Sequence, residues 1–207
     1  MVGFPVNLVL EDRRCLVVGG GEVAARKAQS LAACGARVHV VAPEVGTSVR
    51  AVAGVTWEER PYAPRDFEGV WLAVAATDDP DVNRAVFDDG EALRVWVNGA
   101  DDPDNCSFML PSVVRRGSLT VTVSTSGRSP AMAAWLRRRL ESQIGPEYEV
   151  LLDLVASERE NLKAAGRSTE GLDWQKALDS DMLGLIRSGD VNHARERLQT
   201  CLSSSLD

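Results

Sequence analysis

The segment that most constrains this chain is Cys15-Leu16-Val17-Val18-Gly19-Gly20-Gly21-Glu22-Val23-Ala24, where an apolar strand breaks on consecutive glycines and re-forms as a helix. Such a reversal needs backbone free of side chains. In dinucleotide-binding turns the first glycine permits a tight bend and the second lets the backbone approach a pyrophosphate. A third small residue lets helix and strand pack closely, and the helix N-terminus faces the phosphates. Gly19, Gly21 and Ala24 fill those places. The other reading is a tight turn with a structural role only. The setting favours the ligand: a strand precedes the turn, a helix follows, and a second strand comes at the expected interval.

The end of that second strand reads Val41-Ala42-Pro43-Glu44. An acidic residue there usually receives the ribose hydroxyls, and Glu44 comes one or two positions late for it. No arginine stands there to meet a 2′-phosphate, since Arg37 lies at the strand's other end. NAD is therefore expected over NADP.

The first hundred residues alternate strand and helix. Strands are expected at Cys15–Val18, Val38–Val41, around Trp57–Glu59, Val70–Ala75 and Val95–Val97. Helices are expected from Val23 to a stop at Gly35, and from the Asp79 cap and Pro80 to Gly90. The pattern predicts an α/β fold of Rossmann type with a mostly parallel sheet. Beyond Pro111 it changes. Val113–Ser124 reads as two strands joined at Arg116-Gly117, and Ser129-Pro130 opens a helix to about Gln143. Gly145-Pro146 then breaks the chain, and helical periodicity follows to the end. The expected organisation is a nucleotide-binding domain at 1–112, a small α+β segment at 113–145, and a C-terminal helical domain at 146–207.

A formal charge of −7 opposes binding to nucleic-acid phosphates or an anionic membrane surface. The N-terminal residues lack the pattern of an export signal, and no run is long and apolar enough to span a bilayer, so a cytoplasmic location is expected. Cys15, Cys34, Cys106 and Cys201 are scattered, and His39 and His193 complete the soft ligands. No metal-ligand spacing exists, and no protein-held metal is expected.

Five motifs occur in order: Gly19-Gly20-Gly21-Glu22-Val23-Ala24-Ala25-Arg26-Lys27, Ala75-Ala76-Thr77-Asp78-Asp79, Val97-Asn98 to Asp101, Ser107 to Ser112, and Val123-Ser124-Thr125-Ser126-Gly127-Arg128-Ser129-Pro130. Together they resemble the precorrin-2 dehydrogenase family, the N-terminal region of siroheme synthases, densely from Pro5 to Gln143. The resemblance implies NAD-dependent oxidation of precorrin-2 to sirohydrochlorin by a homodimer, with the 113–145 segment as the dimerisation element. It places cofactor contacts at Glu22, Val23, Pro43 and Glu44, which join Gly19 and Gly21 of the turn and the candidate Thr77, and it places the family's key carboxylate at Asp101. Some members also insert ferrous iron, which is the alternative activity; a non-catalytic sensor on the same fold is a more distant one. The methyltransferase activity of fused relatives is not expected. Thr125 stands where a related bifunctional member has serine.

An aspartate beyond a strand's C-terminal end suits this chemistry, because oxidising the macrocycle transfers a hydride to the cofactor and a proton to a base. Asp102 and Asp104 nearby would raise its basicity. From residue types alone, Asp101-Asp102-Pro103 could equally be only a turn. The implied substrate is a polycarboxylate and the chain is acidic, so its site must be locally basic. Arg128 is the first candidate contact, with Ser124 and Ser129 beside it. Arg115, Arg116 and Arg137 to Arg139 follow.

Overall fold

The computed structural model describes residues 3–100 and 102–203. The chain divides into two compact units, Met1–Leu110 and Pro111–Asp207.

The first unit is a five-stranded sheet of β1 (Arg14–Val18), β2 (Arg37–Ala42), β3 (Thr56–Glu59), β4 (Leu72–Ala75) and β5 (Trp96–Gly99). Every pairing is parallel, in the order β3-β2-β1-β4-β5. This is the Rossmann-type α/β arrangement read from the sequence. Successive side chains of a strand point to opposite faces, so strands covered on both sides read as unbroken apolar runs. On β1, Cys15 and Val17 join one core with Val38, Val40, Leu72 and Val74. Leu16 and Val18 join the other with Val41, Ala73, Ala75 and Val97.

Helix α1 (Glu22–Ala32) covers the first face through Ala24, Ala25 and Ala28, whose small side chains let it lie close to the strands. A short helix α2 (Thr47–Arg50) follows β2. Helix α3 (Pro80–Leu93) covers the second face, and Val86 is its buried anchor. Its start is as expected: Asp79 accepts hydrogen bonds from the N–H groups of Asp81 (2.9 Å) and Val82 (3.3 Å), with Pro80 in the first turn. Its end is not. The helix runs through Gly90 and stops at Arg94, which takes a left-handed conformation (φ 59°). Gly90 is a packing contact instead, because a Cβ there would meet Val97 Cγ2 at 2.2 Å. Strand bounds also shift: β1 begins at Arg14, β2 runs from Arg37 to Ala42, β4 begins at Leu72 rather than Val70, and β5 runs from Trp96 to Gly99.

The second unit opens with an antiparallel hairpin, β6 (Ser112–Arg116) and β7 (Leu119–Val123), closed over Gly117 in a left-handed conformation (φ 53°). Helix α4 (Pro130–Gln143) packs on it. Arg116 bonds the carbonyls of Ile144 (2.8 Å) and Glu141 (3.1 Å), so a hairpin side chain closes the helix C-terminus. Helices α5 (Glu147–Ala164), α6 (Trp174–Leu178), α7 (Met182–Arg187) and α8 (Val191–Ser203) enclose a core of Leu151, Leu154, Met182, Ile186, Leu198 and Leu202. Among the described residues, no helix is long and apolar enough to cross a membrane.

A half-buried charge pair ties the end of β3 to the turn that feeds β4. Asp66, on the 3-10 turn Pro64–Phe67, is 4% exposed and takes both arms of Arg60 (2.7 and 2.9 Å) and the N–H of Ala63 (3.0 Å). Burial alone would raise this carboxyl, but the Arg60 and Ala63 bonds hold it below its ordinary value of 3.8. A carboxyl with a depressed folded-state pKa stabilises fully above the ordinary value, and that stability is lost as pH falls through the folded value. Asp66→Asn should therefore lower Tm at neutral pH and flatten its decline below about pH 4; parallel Tm–pH curves for both proteins would exclude this role.

Candidate functional site

The site lies at the C-terminal ends of the strands, where β1 lies between β2 and β4 and the chain's winding reverses. Open α/β sheets bind ligands at that switch point. Three backbone bonds assemble it: Gly19 N–H to Val41 O (2.9 Å), Ala76 N–H to Val18 O (2.8 Å) and Gly46 N–H to Gly20 O (2.9 Å).

Each glycine of the turn has its own reason. Gly19 has φ 133°, and a Cβ on it would lie 2.2 Å from the carbonyl oxygen of Ala76. A Cβ on Gly20 would lie 1.9 Å from the carbonyl oxygen of Glu44. Gly21 differs: its φ of −90° and ψ of −172° are open to any residue, and a Cβ there would meet nothing within 4 Å. It is also the N-cap of α1 without a side-chain cap bond. The turn thus leaves open space at Gly21 beside the N–H groups and positive end of an eleven-residue helix. This fits the pyrophosphate of a dinucleotide, with Gly19, Gly21 and the first residues of α1, Glu22 and Val23, around it. The Glu22 carboxylate accepts a hydrogen bond from Ser48 of α2.

Beyond β2, Pro43 and Glu44 are exposed on a loop whose carbonyl at Glu44 abuts Gly20. Beyond β4, the Thr77 hydroxyl accepts from Asp79 N–H (3.1 Å) and bonds Asn83 Oδ1 (2.8 Å), while Asn83 Nδ2 donates to Thr77 O (2.9 Å). Thr77 thus shapes the crevice wall, its side chain engaged with the start of α3. Beyond β5 the chain folds back on itself. Asn98, buried, donates to Phe108 O (3.0 Å) and approaches Cys106 Sγ (3.3 Å). Asn105, also buried, donates to Asp102 Oδ2 (2.7 Å), and Asp102 Oδ1 accepts from Asp104 N–H (3.2 Å). Asp101 lies outside the described residues. Cys106 is no activated nucleophile, since burial pushes its thiol up.

Sequence reading missed Asn83, Asn98 and Asn105 as a set. What unites them is a buried amide, which must find internal partners and shows no local pattern in the sequence. Among the described residues, no group of three or more His, Cys, Asp or Glu could hold a metal.

The other candidates lie in the second unit, on the loop before α4. The Thr125 hydroxyl accepts from Ser129 N–H and donates to Ser129 O, both at 3.1 Å. Ser126 (φ 52°) and Gly127 (φ 76°) turn the chain between them. Ser124 Oγ accepts from Ser126 N–H (3.2 Å), Ser129 Oγ caps Met132 N–H (3.2 Å), and Arg128 is exposed.

The glycines separate folding from binding. Gly20→Ala should lower stability by about 1–3 kcal/mol, because a backbone carbonyl must move. Gly21→Ala should leave Tm near wild type yet weaken NAD about tenfold or more, because its methyl enters the cradle. Calorimetric titration with parallel melting curves checks both; unaltered NAD affinity in Gly21→Ala would remove the cradle from the site.

Comparison with known proteins agrees with this geometry. Residues 6–112 match the family described as "Putative NAD(P)-binding", and residues 116–143 match the "Sirohaem biosynthesis protein central" family. The siroheme synthase of Chromobacterium violaceum is 39% identical over 201 residues, covering 95% of this chain and 43% of the relative. That of Thioalkalivibrio sulfidiphilus is 40% identical over 211 residues, covering 99% and 43%. The chain therefore spans less than half the length of these relatives. A solved structure of a protein named "SirC, precorrin-2 dehydrogenase" shares the fold, with a TM-score of 0.68 at 23% identity over 98% of this chain and 100% of that one. The chain belongs to the family described as "Putative NAD(P)-binding", whose model matches more than half of it.

Proposed function

We propose that the chain catalyses the NAD-dependent oxidation of precorrin-2 to sirohydrochlorin. The observation that carries this reading is the open cradle at Gly21, at the switch point of a chain similar to siroheme synthases over 95% of its length. The solved protein of the same fold is named for a precorrin-2 dehydrogenase, which supports the same reaction here. NAD, when bound, supplies the hydride acceptor. The chain's own residues do the rest. Gly19, Gly21, Glu22 and Val23 hold the pyrophosphate, Pro43 and Glu44 line the ribose end, and Thr77 keeps the crevice wall in place. Asp101 takes the proton that leaves the macrocycle as the hydride departs. Arg128, Ser124 and Ser129 receive substrate carboxylates, the two hydroxyls retaining a proton to donate.

The working protein in this reading is a cytoplasmic homodimer built through the 113–145 segment. A second activity, insertion of ferrous iron into sirohydrochlorin as substrate, is favoured by the name siroheme synthase on the relatives. It would draw on the same carboxylate to take the pyrrole protons. Metal insertion measured without NAD separates the two activities.

The deciding experiment is an anaerobic assay with fresh precorrin-2 and NAD, following NADH. Wild-type protein should turn over, and Asp101→Ala should lose about 10²–10⁴-fold in kcat while still binding NAD. Turnover that survives the substitution would discard Asp101 as the base, and its absence in wild type with NAD bound would discard the dehydrogenase. Arg128→Ala should raise the KM for precorrin-2 with the Kd for NAD unmoved; an unaltered KM would take Arg128 out of the substrate site.

A further inference from the structure

We infer that Glu59 determines which dinucleotide the site accepts, by holding Arg50 in an ion pair that denies the 2′-phosphate of NADP a guanidinium. The inference rests on the proposed dinucleotide site and extends it to residues that neither the glycine turn nor the family motifs identify.

Three contacts close a small ring beneath the loop that follows β2. The N–H of Val45 donates to Glu59 Oε1 (3.1 Å), Arg50 Nη2 donates to the same oxygen (2.6 Å), and Arg50 Nε donates to Val45 O (2.9 Å). Glu59 is the last residue of β3 and stands in register with Ala42, the last residue of β2. The ring therefore sits at the strand ends, next to Pro43 and Glu44, the ribose end of the proposed site. Arg50 lies one short helix beyond that loop and is 42% exposed along its side chain, so its guanidinium is near the surface.

The second arginine at this end is committed as well. Arg60 bonds Glu58 (2.6 Å) and both oxygens of Asp66 (2.7 and 2.9 Å). A 2′-phosphate would bring about two negative charges to a rim that carries Glu44, Glu58 and Glu59. Both nearby guanidiniums already have carboxylate partners. The bond from Val45 N–H, and then Arg50, hold the Glu59 carboxyl below its ordinary value of 4.5, so it stays ionised at neutral pH. Guanidinium is the favoured partner for phosphate, and one released from its carboxylate would be well suited to NADP. Glu59→Gln removes the charge, while its amide oxygen can still accept from Val45 N–H.

The test is calorimetric titration of the full chain with NAD and with NADP, read as the ratio of the two Kd values within each variant. Glu59→Gln should lower Kd(NADP)/Kd(NAD) by roughly tenfold or more. Adding Arg50→Ala to that variant should restore the ratio. Glu59→Thr, a β-branched replacement suited to a strand, provides the same measurement if the amide variant melts early. A ratio unmoved by loss of the carboxylate, or a fall that persists without Arg50, overturns the inference while NAD binding stands. Failure of wild type to bind either nucleotide overturns the dinucleotide reading, and the inference with it.

Discussion

Backbone pressed on backbone at the strand ends is the contact on which the rest of the first unit depends. Gly19 lies against Ala76, and Gly20 against Glu44, at distances that leave no room for a Cβ. These approaches bring together the segments after β1, β2 and β4. They also set where α1 begins, and hence where its unsatisfied N–H groups point. Gly21, one residue further, faces open space. Two glycines are thus needed for folding, and the third leaves a cradle that the fold itself does not fill.

Around that turn, each strand-end loop is held by its own short polar network. Asn83 clasps Thr77 after β4, Asn98 and Asn105 hold the loop after β5, and Glu59 with Arg50 holds Val45 after β2. Buried amides are costly unless bonded, and all the described buried side-chain polar atoms have partners. Loops fixed in this way can present a cofactor site with little reorganisation on binding. The same arrangement explains the electrostatics at the ends of β2 and β3, where Arg50 and Arg60 are both paired with carboxylates.

Much of this was legible in the sequence, for local reasons. Strands buried on both faces read as apolar runs, the Asp79-Pro80 start of α3 is a capping pattern, and the glycine turn is contiguous. The opening helix of the second unit, from Ser129-Pro130 to Gln143, was legible through its cap and its Gly-Pro stop. Features that depend on distant partners were not. Gly90 reads as a helix stop until Val97 of β5 is seen against it. Glu59 reads as a solvated strand-end charge until β3 pairs with β2 and brings it to Val45 and Arg50. Asn83 resembles any helix residue until its amide meets Thr77. The expected base, Asp101, rests on motif and resemblance alone.

The most direct test of the central claim, that the Gly19–Gly21 turn receives the dinucleotide, is a crystal structure of the protein with NAD bound. The account predicts pyrophosphate oxygens within hydrogen-bonding distance of backbone N–H groups at Gly21 to Val23, with the adenine ribose beside Pro43 and Glu44. NAD bound elsewhere, or a cradle at Gly21 left empty at saturating NAD, would contradict it.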